Sequence, residues 1–204
     1  IRISGSELFS QDDVVKNSSL KFPIQLILIN TNFLEKELKQ NLSLKNISVS
    51  RELFPFGLKI KVNTRTPIAY AERILNKKKV FGFIDKDGIF INKKNVEEKK
   101  FNELTIEVFG WKENFRKVLS EIFIAQDKYD FDIVQISFSP NGFLTVEEKD
   151  LKTILLGFNP NLINYQLQII SNLKNEFKEN NFSEKIVNID LTDPNQPKIK
   201  VFKP

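Results

Sequence analysis

The sequence predicts an α+β fold in two parts, and three observations carry that reading. First, Leu58, Ile60 and Val62 alternate with Lys59, Lys61 and Asn63. A period of two puts the branched apolar side chains on one face of a half-buried strand. Second, Pro67 follows four residues later. It has no N–H to give to a ladder, so a central strand does not run through it unbroken. Third, two later stretches place a mostly apolar face at helical spacing: Trp111, Phe115, Val118, Leu119, Ile122 and Gln126, then Leu162, Tyr165, Ile169, Leu173 and Phe177. The expectation is a small domain over residues 1–67, closed by the strand at Leu58. A mixed β-sheet domain with two amphipathic helices follows over residues 68–204.

In the first part, Ile1 to Ser4 alternates and meets Gly5, a short strand. Ser10 caps a helix running to about Asn17, with Asp13 placed to accept backbone N–H groups. Phe9 and Val14 flank that cap as a hydrophobic staple. Ile24 to Ile29 is a nearly continuous apolar run, too short to assign to helix or strand. Thr31 or Asn32 starts a second helix, with capping-box spacing from Asn32 to Glu35 and an inner stripe of Phe33, Leu34 and Leu38. Leu44 to Arg51 is a strand. Phe54-Pro55-Phe56-Gly57 turns the chain into the partner strand at Leu58. The order is β-α-α-β-β.

In the second part, Ile68 to Leu75, Val80 to Ile84 and Ile89 to Ile91 read as strands. They are joined by turns at Lys77-Lys78-Lys79 and Asp85-Lys86-Asp87-Gly88, the latter ending in an Asp-Gly hairpin signal. Leu104 to Phe109 is a strand, and the helix beginning at Trp111 follows it. Asp132 to Phe138, Gly142 to Glu147 and Thr153 to Phe158 form a meander. Asn159 then caps a long helix with Pro160 at its first position. Lys185 to Leu191 and Lys198 to Phe202 are the last strands, separated by the turn Asp193 to Pro197.

Composition narrows the function. The 204 residues contain no Cys, His or Met. That removes the serine–histidine–aspartate triad, the cysteine nucleophile, the ordinary zinc site and any disulfide framework. No cofactor and no catalytic group is expected. The formal charge is +5, with lysine clusters at Lys77 to Lys79, Lys93-Lys94 and Lys99-Lys100. A nucleic-acid surface needs ~6–10 phosphate contacts from one continuous patch. Here acids dilute the lysines and no aromatic is interleaved, so solvated loops are the reading. Attraction to anionic lipid headgroups is a secondary one. Asp85 to Gly88 lacks the third acidic position and the distal Glu of a calcium loop, so it reads as a turn. The groups Glu97-Glu98 and Glu147-Glu148-Lys149-Asp150 read as solvated charge rather than as paired catalytic carboxylates. No apolar run approaches the ~20 residues of a membrane helix. A chain that opens inside a strand-like run and contains no Met is expected to be a piece of a longer protein.

Residues and order together resemble a known family. Ile1-Arg2-Ile3-Ser4-Gly5-Ser6 is similar to an opening "v-x-V-x-G-N" strand and turn. Arg51, Pro55, Leu58 and Ile60 resemble the hairpin "R-x-W-P-x-x-L-x-I", with Phe54 in place of Trp and one extra residue. Arg65-Thr66-Pro67-Ile68-Ala69 resembles "E-R-x-P-V-A", with Thr64 in place of Glu. Ile84 to Phe90 resembles "I-D-x-x-G-x-x-F", Leu155-Leu156-Gly157 resembles "v-x-L-G", and Ile189-Asp190-Leu191 resembles "V-D-L-R", with Thr192 in place of Arg. The first part thus resembles a POTRA domain. The whole resembles the extracytoplasmic region of the FtsQ/DivIB bacterial cell-division proteins.

That resemblance implies a non-catalytic scaffold of the divisome at the division septum. It implies a single-pass protein of the bacterial plasma membrane, with an anchor upstream of Ile1 and this chain on the extracytoplasmic side. It also implies recruitment of FtsB- and FtsL-type partners by strand pairing at the C-terminal edge, and neither nucleic acid nor a small-molecule substrate as partner. The candidate edge is Lys198, Ile199, Lys200, Val201 and Phe202. On the residues alone this is an ordinary edge strand whose lysines discourage pairing; the resemblance reverses that. Arg65, Thr66, Pro67 and Ile68 are the expected interdomain joint. Pro67 fixes one backbone angle and restricts Thr66 before it, which makes the joint stiff. A POTRA-containing outer-membrane assembly or secretion component is the alternative, and it would carry tandem POTRA units and a barrel.

Overall fold

The computed structural model describes residues 1–97, 101, 104–179 and 186–202. The Lys99-Lys100 pair, Glu98 and the first residue of the strand expected at Lys185 lie outside them. The chain divides into two compact units, Ile1–Pro67 with Phe90–Asn102, and Ile68–Ile89 with Glu103–Pro204.

The first unit has the expected β-α-α-β-β order: β1 (Arg2–Ser4), α1 (Gln11–Lys16), α2 (Thr31–Asn41), β2 (Asn46–Leu53) and β3 (Phe56–Asn63). β3 is the centre of a three-stranded sheet, parallel to β1 and antiparallel to β2. Leu58, Ile60 and Val62 are buried as their alternation requires, against Leu34, Leu38 and Val14 of the two helices. The capping box at Ser10 forms: its hydroxyl accepts from Asp13 N, and Asp13 accepts from Ser10 N at 2.9 Å. The Ser10 hydroxyl also donates to Asp13 Oδ2 at 2.7 Å, and that bond, together with the one from Ser10 N, holds the Asp13 carboxyl below its ordinary range.

Two expectations are corrected here. The second helix is capped by Asn30, whose side chain accepts from Phe33 N. Glu35 closes no capping box and instead accepts from Val49 N on β2 at 2.7 Å. Phe33 is exposed rather than part of the inner stripe. The apolar run before α2 resolves as a 3-10 turn, Leu26–Leu28.

Residues Phe90–Asn102 group with this unit. They include a short strand, β6 (Phe90–Asn92), and buried Asn95, whose amide donates to Leu42 O at 2.9 Å.

The second unit holds β4 (Ala69–Leu75), β5 (Lys78–Ile84), β7 (Ile106–Trp111), α3 (Arg116–Tyr129), β8 (Ile133–Phe138), β9 (Leu144–Glu148), β10 (Lys152–Gly157), α4 (Ile163–Glu179), β11 (Ile186–Asp190) and β12 (Lys198–Val201). Its strands stand in the order β12-β11-β10-β9-β8-β7-β4-β5. β7–β8 and β10–β11 are parallel neighbours, each joined through a helix, as a parallel step requires. Both steps move the same way across the sheet, between strands that point the same way. Crossovers of one hand then drop both helices on one face, and α3 and α4 do pack against each other. The α+β architecture, with a mixed sheet and two amphipathic helices, is as the sequence predicts.

Local readings shift within this unit. The β4–β5 turn is Asn76-Lys77, both with positive φ, and Lys78 and Lys79 belong to β5. A two-residue turn of this kind matches the twist of the strands. Trp111 ends β7 and does not begin the helix; its indole N–H donates to Gly88 O at 3.0 Å. The turn there is built as the Asp-Gly signal suggests, with Gly88 N donating to Asp85 O and Asp85 Oδ1 accepting from Asp87 N and Ile89 N. In α4 the buried face is Ile163, Gln166, Leu167, Ile170 and Lys174, one residue round from the apolar stripe, and Tyr165 is exposed.

Candidate functional site

The predicted binding edge is β12. Its approach is shaped by short polar side chains and two prolines. Asp190 Oδ1 accepts from the backbone N and the hydroxyl of Thr192, Asp193 Oδ1 accepts from Asn195 N, and Gln196 N donates to Asp193 O. The Thr192 hydrogen bonds, with Lys198 nearby, hold the Asp190 carboxyl below its ordinary range. Pro197 then leads into the strand.

β12 lies antiparallel beside β11, with Asp190↔Lys198, Ile189↔Ile199, Asn188↔Lys200 and Ile186↔Val201 as partners. It stands first in the strand order, and among the described residues β11 is its only neighbour. All of Lys198 to Phe202 is exposed. The two faces of this edge differ. One cross-strand row runs Ala71–Val108–Ile136–Val146–Ile154–Ile189–Ile199 through seven strands. Every member is buried until Ile199, which is 40% exposed. The opposite face carries the row Glu107–Gln135–Glu147–Thr153–Asn188–Lys200. The edge therefore presents an apolar row that stops short on one side and lysines on the other.

The joint residues are elsewhere. Arg65 and Ile68 are half-buried, Thr66 is exposed and Pro67 is buried. Pro67 is the last residue of its stretch of the first unit, Ile68 opens the second, and Ile68 N donates to Ile84 O at 2.8 Å. Within the second unit β4 is six strand spacings from β12, ~29 Å at the usual ~4.8 Å spacing. The edge and the joint are not one site.

One charged group read as solvated is buried. Glu148 and Lys174 form an ion pair at 2.6 Å with side chains 1% and 5% exposed. Glu148 also accepts from the backbone N–H groups of Asp132, Asp150 and Leu151, and Lys174 donates to Asp130 O. Burial raises the Glu148 pKa, but the Lys174 and backbone hydrogen bonds outweigh it and leave the carboxyl below its ordinary range. With its oxygens this fully engaged, the pair is built to hold α4 and the β9–β10 turn, not to exchange protons with a substrate.

Where β8 and β10 end and the helices begin, a cavity of about 280 Å³ opens between Lys112, Phe115, Phe138, Asn141, Phe158 and Asn159. Phe115 stacks on Phe138 at 4.1 Å. Among the described residues its wall holds no carboxylate. Among the described residues no cluster of three acidic, His or Cys side chains could hold a metal, and no helix is long and apolar enough to cross a membrane.

Comparison with known proteins agrees with the motif reading. The family model for the POTRA domain, FtsQ-type, matches residues 1–65. The cell division protein DivIB of Clostridium acetobutylicum is 27% identical over 97 residues, covering 47% of this chain and 37% of that relative.

Proposed function

We propose that this chain, which carries an FtsQ-type POTRA domain at residues 1–65 and whose likeness to DivIB supports the FtsQ/DivIB family, is the extracytoplasmic part of a cell-division scaffold. In this reading an anchor precedes Ile1 in the plasma membrane, and the protein works at the septum by holding partners rather than by catalysis. Arg65 to Ile68 form the joint between a POTRA domain over residues 1–67 and a β domain over 68–204, from which the segment Phe90–Asn102 groups back with the first unit. The partners are small divisome membrane proteins of the FtsB and FtsL type, and they add a strand beside Lys198–Phe202.

The observation that supports this best is the interrupted apolar row ending at Ile199 on an exposed edge. Strand addition draws affinity from main-chain bonds and specificity from alternate side chains. The partner strand here places an apolar residue beside Ile199, towards the helices. On the other face it places acidic or polar residues beside Lys198 and Lys200. The alternative of an outer-membrane assembly component has less support, because among the described residues the second unit is a sheet with β12 at its border and two helices packed together.

Capture of FtsB/FtsL-type partners by the purified chain tests the proposal. Removal of residues 198–204, or Ile199→Asp with Phe202→Asp in the full chain, is expected to abolish capture with little change in melting temperature. Capture by both variants at the wild-type level would sink the edge assignment.

A further inference from the structure

The tip of the β2–β3 hairpin is built from apolar side chains that no described residue of its own unit covers. Leu53, Phe54 and Phe56 are 64%, 87% and 75% exposed, and the rings of Phe54 and Phe56 stand 5.6 Å apart. Ile27 and Leu28, 77% and 70% exposed, belong to the 3-10 turn beside it. Arg51 fastens that turn to the hairpin: its guanidinium donates to Leu26 O, Ile27 O and Ile29 O, the last at 2.7 Å. Leu53 and Phe56 continue the face of the sheet that carries Arg51 and Leu58. Five large apolar side chains are thus gathered at one end of a small domain. Single exposed apolar residues need no explanation, but a contiguous group does.

Two further features choose the occupant. The first is charge. Residues 1–4, 20–30 and 50–61 form the tip, its turn and the start of β1. They contain Arg2, Lys21, Arg51, Lys59 and Lys61 against the single acid Glu52, which Arg2 neutralises at 3.3 Å. The second is direction. β1 runs parallel to β3 with Arg2 opposite Lys59 and Ile3 opposite Ile60. Any chain preceding Ile1 would therefore leave the sheet at the hairpin-tip end. A protruding turn of Phe and Leu with a basic surround is the chemistry of a segment that sits in the headgroup region of a lipid surface.

We propose that Leu53, Phe54 and Phe56, with Ile27 and Leu28, dock this domain onto an anionic lipid surface. Lys21 and Lys59 meet the headgroups. The inference rests on the reading that a membrane anchor lies upstream of Ile1. The anchor would bring the tip to the bilayer, and the tip would set the domain's orientation upon it.

Co-sedimentation of the 204-residue chain with equimolar phosphatidylglycerol–phosphatidylcholine vesicles tests the surface without any anchor. Binding is expected, weakened by added salt. The double variant Phe54→Ser, Phe56→Ser should reduce it about tenfold at an unchanged melting temperature, and Ile27→Ser with Leu28→Ser should do the same. Absence of binding, or binding that both variants retain, overturns the proposal. So does concentration-dependent self-association of the chain that the substitutions abolish, since the tip is then a contact between copies. Membrane fractionation of the full-length gene product tests the anchor separately, and its failure leaves the vesicle result standing on its own.

Discussion

Lys174 lies on the core face of α4, where an apolar residue would be expected, and its ammonium group bonds Glu148 and Asp130 O. A charge in such a place persists only when fully paired. Removing one partner leaves the other buried and uncompensated, which costs about 3–5 kcal/mol. Lys174→Met and Glu148→Gln are each expected to lower the unfolding free energy by about 3–5 kcal/mol, measured by urea unfolding. The Glu148 pKa is depressed in the folded state. Its contribution is therefore fully present above the ordinary carboxylate range and is lost as pH falls through the lowered folded value. The gap in melting temperature between wild type and Glu148→Gln should narrow on acidification; a gap that widens would contradict the assignment. Gly5 gives a second test. Its φ is +93°, and a Cβ there would stand 2.2 Å from Val62 O. Gly5→Ala should loosen β1 from β3, seen as faster amide exchange at Ile3 and Ile60.

At the scale of elements, strands were more legible than helix faces. The alternation of Leu58, Ile60 and Val62 translates directly into burial, because a strand's period of two leaves no choice of face once one side is covered. A helix presents a continuum of faces. In α4 the stripe from Leu162 to Phe177 points one residue away from the true core face, because Gln166 and Lys174 take core positions. Gln166 donates to Leu156 O and Leu191 O at 2.8 and 2.7 Å, bonds to carbonyls more than eight residues distant that no local pattern records. Gln166→Ala is expected to destabilise by about 1–3 kcal/mol, with the largest loss of exchange protection at the β10–β11 end of the sheet. The edge strand belongs to this scale too. Its terminal place in the chain marks Lys198–Phe202 as an edge strand, but that it ends an otherwise buried row at Ile199 is a matter of strand order.

At the scale of the molecule, the chain leaves the first unit at Pro67 and rejoins it at Phe90. The segment Phe90–Asn102 contributes buried Asn95 and its bond to Leu42 O, at the C-terminus of α2. A domain of ~65 residues buries only ~60% of its unfolded surface and is marginal alone. Residues 1–67 expressed without that segment are expected to unfold at a lower temperature than the same unit in the whole chain, and Asn95→Ala in the whole chain should lower the unit's stability by about 1–3 kcal/mol. Equal stability of the isolated and intact units by calorimetry would show that the returning segment adds nothing.

By itself the sequence determined the class of fold, the order of elements, the Ser10 cap, the Asp-Gly turn and the exclusion of thiol and histidine chemistry. Each of these is decided within a few residues, by backbone sterics or by which functional groups exist at all. It also carried the motifs that resemble FtsQ/DivIB, since those are turns and strand edges with fixed side-chain needs. Only the tertiary structure decided that a buried cross-strand row runs out at Ile199 on β12, that Glu148 and Lys174 meet in the interior, that Asn95 supports α2, and that the apolar run at Ile27 and Leu28 joins Phe54 and Phe56 on an exposed tip. Those facts depend on pairs far apart in the chain, and local periodicity holds no information about which distant partner covers a residue or fails to.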